Sequence, residues 1–297
     1  MSEQREYRVD VPCELMAFLL GPPLRLARAR AKELLKFQAV SVRGHRRVRH
    51  DTALVPGDIV TIGGARRSSD SILERVGLRI VHLDDAIIVI DKPAGLLSMG
   101  SEREKEKTAH RMLNEHLKAM NNSMRQQVFI VHRLDRETSG LMLFARSEAM
   151  QDALQRGWKN VTKRYLAIVE GTPAKASGTL RDHLIESKSL KVYRVERGGA
   201  LAITHYRVMR SSGTRSLLEL TIETGRKHQI RVQLAAIGHP VVGDRKYGAT
   251  SDPARRVALH AYELTFRHPA SSATMEFRSQ LPERLNALIP ASRTKRD

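Results

Sequence analysis

Two short apolar runs, Val128-Phe129-Ile130-Val131 and Leu141-Met142-Leu143-Phe144-Ala145, flank one polar loop, residues 132–140. Short apolar runs bounded by polar turn residues read as buried strands. The chain is therefore expected to build a sheet around this loop. Thr138-Ser139-Gly140 supplies turn chemistry, the glycine allowing a tight backbone path into the second strand. Asp135 sits inside the loop with Arg133 and Arg136 beside it. An acid so placed has two readings. It caps the turn with its own side chain, or it is a catalytic carboxylate held on a rigid sheet edge. The local sequence leaves both open.

Further short runs at 165–170, 202–208, 217–222 and 258–266 read as strands, and 78–82 with 87–90 as a hairpin across Asp84-Asp85. Helical patterns lie at 108–118 and 228–236. Clustered strands with a few interspersed helices predict an α+β fold with a mixed, mainly antiparallel sheet. Residues 98–107 read as a mobile surface loop without chemistry.

The first seventy-odd residues read as a module of their own, 1–72, followed by a main domain, 76–297, with a natural linker at 65–71. A helix is expected over 24–36 after the breaker Gly21-Pro22-Pro23, with Leu24, Ala27, Ala31, Leu34 and Leu35 on one face. Arg25, Arg28, Lys32 and Lys36 would form an adjacent stripe. Residues 24–49 carry nine Lys and Arg against one acid, Glu33. Strands are expected at 40–42 and 58–62. A stripe of one sign suits a phosphate backbone better than a solvated face, which would serve solubility best with mixed charge.

Net charge bears on the class of partner, with an ordinary basic enzyme as the plainest alternative to a nucleic-acid binder. The chain of 297 residues carries a formal charge of +19, which points to a polyanion, with a basic membrane-surface protein as the competing explanation. No apolar run approaches the roughly eighteen residues of a membrane span, and the first residues do not resemble a secretory signal. Nucleic acid is the expected partner and the cytoplasm the expected location. A single cysteine, Cys13, excludes intramolecular disulfides and thiolate zinc clusters, and the histidines show no zinc-protease spacing. Neither a phosphate-binding glycine loop nor a dinucleotide fingerprint is present, and His-Arg-Leu-Asp has an insertion that a kinase catalytic loop lacks. No cofactor and no metal are expected.

The loop 132–140 resembles the His-Arg-Leu-Asp-x-x-Thr-Ser-Gly signature of the RluA-type pseudouridine synthases, whose catalytic aspartate would fall on Asp135. The likeness extends along most of the chain. Lys92-Pro93-Ala94-Gly95-Leu96 resembles the family's first motif and Lys163-Arg164-Tyr165-Leu166-Ala167 its tyrosine-bearing motif. Gly225-Arg226-Lys227-His228-Gln229-Ile230-Arg231-Val232-Gln233-Leu234 resembles the third, and Val242-Gly243-Asp244-x-x-Tyr247-Gly248 a family turn. The basic helix, Val40-x-Val42-x-Gly44 and Pro56-Gly57-Asp58 are similar in order to the RNA-binding domain typified by ribosomal protein S-four. Lys227 and Gln233 stand where threonine and histidine are usual.

The resemblance implies an enzyme that isomerises uridine to pseudouridine in structured RNA. Large-subunit ribosomal RNA is the expected substrate, with transfer RNA as the alternative and a non-catalytic ribosome-assembly protein as the rival class. A monomer is expected. Asp135 would act on the sugar as nucleophile or as base, and one carboxylate suffices because no water adds. Arg231 would oppose Asp135, pairing through two parallel hydrogen bonds. Tyr165 would offer a face to the flipped base, and Arg133 would stack where the base had been. Arg226 suits a phosphate contact. Gly243, Asp244 and Tyr247 read as mostly structural, a turn that packs beside the cleft.

Overall fold

The computed structural model describes residues 5–36, 40–43, 48–62, 73–100, 104, 106–121, 127–187 and 189–289. The chain divides into two compact units, one of Met1–Arg75 with His116–Met124, the other of Val76–Glu115 with Arg125–Asp297. The expected linker at 65–71 lies outside the described residues.

In the first unit, β1 (Arg5–Arg8), β5 (Ile59–Ile62) and β3 (Val40–Val42) form an antiparallel sheet in the order β1-β5-β3. β2 (Cys13–Glu14) pairs with β4 (Ala53–Leu54). Val9, Leu15, Leu19, Ala31, Leu34, Val40, Leu54 and Val60 make the core. The strands at 40–42 and near 58–62 form where the sequence places them. The helix does not run from residue 24. It spans Arg28–Lys36, and residues 24–27 are a loop in which Arg25 takes a positive φ of 46°. Proline at 22 and 23 displaces the helix start further than expected, and Ala27 is exposed. A second helix, Leu15–Leu20, is hidden in an apolar run too short to show a 3.6-residue period.

The second unit holds β6 (Arg79–Leu83), β7 (Ile87–Lys92), β8 (Phe129–Ile130), β9 (Ser139–Ala145), β10 (Thr162–Glu170), β11 (Ser177–Glu186), β12 (Val192–Val195), β13 (Ala200–Ser211), β14 (Arg215–Ile222), β15 (Leu259–Arg267) and β16 (Thr274–Arg278). They form one sheet in the order β12-β11-β13-β14-β10-β15-β9-β7-β6, with β16 beside β15 and β8 beside β9. The fold is the expected α+β with a mainly antiparallel sheet. β11, β12 and β16 are not among the strands expected from the sequence: β11 and β12 bury one side chain each, Leu184 and Val192, and β16 is a five-residue run with none fully buried.

One junction positions everything that follows. β9 pairs with β15 in parallel at two positions, His260 beside Ser139 and Ala261 beside Gly140, while the pairings described around it are antiparallel. Beyond those residues the two strands part, β16 taking over beside β15 and β8 beside β9. Gly140 makes the close approach possible. Its φ is +113°, and a Cβ there would lie 2.1 Å from the carbonyl oxygen of Ala261. The loop carrying Asp135 enters the sheet at this seam. β9 is buried along its whole length, and Leu141, Leu143 and Ala145 pack with Ile87, Val89, Val131, Leu154 and Phe266. Such a strand is a rigid mount.

Candidate active site

The loop ahead of β9 is held by the Lys92–Ser98 segment. Ser98 Oγ accepts from Leu134 N at 3.0 Å and donates to Leu134 O at 2.7 Å. Gly95 N donates to Arg136 O at 2.8 Å. Lys92 is fully buried, and its Nζ donates to Pro93 O (2.9 Å), Leu96 O (2.8 Å) and, more weakly, Arg136 O (3.4 Å). Burial and the nearby Arg256 pull the Lys92 amine down to about 7, against Asp135 and Glu137. Ser98 thus belongs to the support of the loop, although the sequence reads 98–107 as surface.

Within the loop the backbone oxygen of Asp135, not its side chain, accepts from Thr138 N at 3.1 Å and closes the turn. The carboxylate is therefore free of the capping role. It points to Arg231, whose Nη1 lies 3.5 Å from Asp135 Oδ2. This corrects the expected pairing. The two parallel bonds of Arg231 go to Asp244, Nε to Oδ2 at 2.6 Å and Nη2 to Oδ1 at 2.8 Å. Arg231 has one face to offer Asp135 because Asp244 occupies its fork. Asp244 side-chain exposure is 1% and that of Arg231 6%, against 25% for Asp135. Burial opposes the charge of Arg231, but the bonds from Asp244 and the charges of Asp244 and Asp135 outweigh it and raise its pKa. Burial likewise pushes the Asp135 carboxyl up, with Arg231, Arg133 and Lys92 pulling it back.

Arg133, Tyr165, Arg226, His228 and Arg231 line the same cleft as Asp135, a space of about 80 Å³. Tyr165 lies buried on β10, and its phenol is pushed above the ordinary range by burial and by Asp135. Arg133 is exposed at the mouth. Arg226 is tied by Nε to Leu201 O at 3.1 Å. The expected residues Asp135, Arg133, Tyr165, Arg226 and Arg231 are thus brought together. A larger cavity, about 640 Å³, is lined in part by Lys92, Asp91, Glu137 and Arg256. Its Asp91 is already engaged by Arg79 and Ser279, so volume does not locate the chemistry.

Arg25, Arg28 and Lys32 are exposed on the first unit, the latter two on the Arg28–Lys36 helix. Arg25 is off that helix, so the four-residue stripe is not a helical one. The Lys36 side chain lies outside the described residues.

Residues outside the expected set complete the site. His228 precedes the Gln229–Ala236 helix with φ 52°, a left-handed conformation that histidine tolerates better than most residues. Its Nε2 lies 3.9 Å from Asp135 Oδ2 and its Nδ1 2.7 Å from the Tyr247 hydroxyl. The Tyr247 ring lies 5.2 Å from the Arg231 guanidinium carbon. Asp244 and Tyr247 are not turn residues alone. The signal for them is an acid and an aromatic ring in one short turn, which no local rule connects to a distant arginine. Gln233 faces away from the cleft, accepting from Thr204 Oγ1 at 2.7 Å and donating to Asp182 Oδ2 at 2.9 Å. Lys227 pairs with Glu186 at the end of β11.

Comparison with known proteins agrees with this geometry. Residues 86–236 match the family model described as RNA pseudouridylate synthase. The chain is 32% identical over 300 residues to the uncharacterized RNA pseudouridine synthase YlyB of Bacillus subtilis, covering 97% of this chain and 95% of that protein. It is 38% identical over 234 residues to ribosomal large subunit pseudouridine synthase D of Nitrosomonas europaea, covering 74% and 67%. The structure of human RNA pseudouridylate synthase domain containing 4 superposes with a TM-score of 0.62 at 25% identity, over 75% of this chain and 98% of that one. The seam of the sheet, the carboxylate at its mouth and these similarities lead to one assignment: the chain belongs to the RNA pseudouridylate synthase family and is an RNA pseudouridine synthase.

Proposed function

We propose that this enzyme isomerises a uridine of large-subunit ribosomal RNA in the cytoplasm, with Asp135 as the catalytic carboxylate. The observation that carries the site reading is the carboxylate of Asp135 at the cleft, facing an arginine that a buried aspartate holds in place. The choice of RNA rests on relatives. Ribosomal large subunit pseudouridine synthase D of Vibrio cholerae is also similar, at 34% identity over 276 residues.

The chemistry follows from these groups. The glycosidic bond from the sugar to uracil nitrogen breaks, and uracil leaves as an anion and turns. Its C5 bonds to the same sugar carbon, and C5 then gives up its proton while the freed ring nitrogen takes one up. Nothing is added or removed overall. Asp135 acts on the sugar in its ionised form, as nucleophile or as base. Arg231 keeps that charge oriented, since its own fork is fixed by Asp244. Tyr165 presents a ring to the base, and Arg133 fills the space the base vacates. Arg226 holds a phosphate at the cleft. The exposed Arg25, Arg28 and Lys32 of the first unit contact the RNA backbone, as does Lys36, in the manner of an S-four-like domain spanning residues 1–72.

The test is pseudouridine mapping by mass spectrometry, with purified enzyme acting on ribosomal RNA and on transfer RNA from cells lacking the gene. The expected result is one or a few new sites in large-subunit RNA for wild type and none for Asp135→Asn. Modification confined to transfer RNA overturns the substrate. Wild-type turnover by Asp135→Asn overturns the site.

A further inference from the structure

We propose that His228 and Tyr247 are positioning residues that present a fixed Nε2–H to Asp135 Oδ2, so that Oδ1 is the oxygen left to act on the sugar. The proposal rests on the reading of Asp135 as the catalytic carboxylate.

We assign the proton of the Tyr247–His228 bond to the phenol, whose oxygen can either donate or accept there. The phenolic oxygen of Tyr247 accepts from the backbone N–H of Val192 at 3.2 Å. The same oxygen lies 2.7 Å from His228 Nδ1. A hydroxyl can donate to a ring nitrogen only where that nitrogen carries no proton. With Nδ1 as acceptor, the single proton of a neutral imidazole sits on Nε2. Nε2 faces Asp135 Oδ2 across 3.9 Å, and Arg231 Nη1 faces the same oxygen across 3.5 Å. Both separations are long for a working contact, as catalytic hydrogen bonds often are before substrate closes the site.

The ring is held neutral by its surroundings. Burial, then Arg231, Lys246 and Lys227, pull His228 down to about 3, with Asp244 opposing them. A neutral donor orients the carboxylate without adding a second full charge to it. Tyr247 governs both donors at once. Its edge meets the His228 ring at 75° with centroids 5.6 Å apart, and its face lies beside the Arg231 guanidinium. Val192 N donates to the phenolic oxygen and helps hold it. The left-handed φ of His228 is the backbone condition that lets the ring reach from the helix start to Asp135.

The experiment uses the full chain labelled with ring 15N histidine, together with single-turnover rates on an RNA that the enzyme modifies. His228→Asn suits the left-handed backbone and lacks the Nε2–H, and it assigns the His228 ring signals by their loss. His228→Gln returns an amide donor near the Nε2 position. The wild-type ring is expected to show a protonated Nε2 and an unprotonated Nδ1, and Tyr247→Phe to lose that preference. His228→Asn should slow the chemical step about ten- to a hundredfold, the equivalent of one hydrogen bond to a charged group, with RNA affinity unchanged. His228→Gln should recover part of the loss, and Tyr247→Phe should cost nothing further in the His228→Asn background. A proton on Nδ1 in wild type overturns the proposal whether or not any variant folds. So does an equal effect of Tyr247→Phe in both backgrounds. If Asp135→Asn is inactive while His228 carries its proton on Nδ1, the positioning role alone falls. If Asp135→Asn is active, the reading of the site falls with it.

Discussion

The cleft of the second unit and the basic face of the first use charge in opposite ways. Arg231 is buried, its fork filled by Asp244, its remaining nitrogen aimed at Asp135. Arg25, Arg28 and Lys32 stand exposed, with solvent around them. A buried cation must be paired or it destabilises the fold, so its neighbours fix its direction. An exposed cation needs no partner, keeps its rotamer freedom and meets any phosphate within reach. Chemistry at one atom demands the first arrangement. Affinity for a polyanion tolerates the second. Sequence composition sees the two as the same +19.

Four experiments would break or sharpen this contrast. The largest effect belongs to Asp135→Asn, which keeps size but removes the reactive charge. Pseudouridine formation should vanish while RNA affinity holds. Turnover near the wild-type rate would show that the buried arrangement serves something else.

Next comes Asp244→Asn. The amide fills the space but leaves Arg231 without its buried counter-charge, which costs about 3–5 kcal/mol when one partner of such a pair is removed. Urea unfolding should register that loss, and activity should fall further than Arg231→Lys reduces it. A fully stable and active Asp244→Asn protein would mean Arg231 needs no such anchor.

The third is a pH profile. Burial raises the Asp135 pKa against Arg231, Arg133 and Lys92. The carboxylate is the working form, so activity is present above the raised pKa and lost as pH falls through it. The acid limb of the single-turnover rate should therefore lie above the ordinary aspartate value of about 3.9. Arg231→Gln removes a charge that pulls this pKa down, so the limb should move to still higher pH. A limb in the ordinary range, or one unmoved by Arg231→Gln, contradicts the electrostatics of the cleft.

The smallest effect is expected on the exposed side. Reversing Arg25, Arg28 and Lys32 to Glu should flatten the log–log salt dependence of RNA binding by roughly 0.7–0.9 for each phosphate no longer neutralised, with the chemical step unchanged at saturating RNA. An unchanged slope would make that face a solvated one.

Much of the architecture is legible because strands declare themselves locally. The apolar runs on either side of Asp135, the hairpin of β6 and β7, and the strands β10, β13, β14 and β15 come within a few residues of their expected bounds. β11 and β12 do not, since only Leu184 and Val192 among their side chains are buried. The helix start near residue 24 fails for another reason. The turn at 21–24 and the loop after it carry the chain past the residues whose periodicity suggests a helix.

The sequence by itself determined a basic α+β chain, a carboxylate in a loop between buried strands, and a motif order that resembles one enzyme family. Tertiary structure decided what that carboxylate faces. Asp135 and Arg231 are 96 residues apart, and Arg231 and Asp244 come from separate motifs. Which carboxylate takes the guanidinium fork, and which takes its remaining nitrogen, depends on burial and angle, which are properties of packed neighbours. Residue order does not contain them. The same holds for Tyr247, which reads as turn packing and lies between the arginine and the histidine that face Asp135.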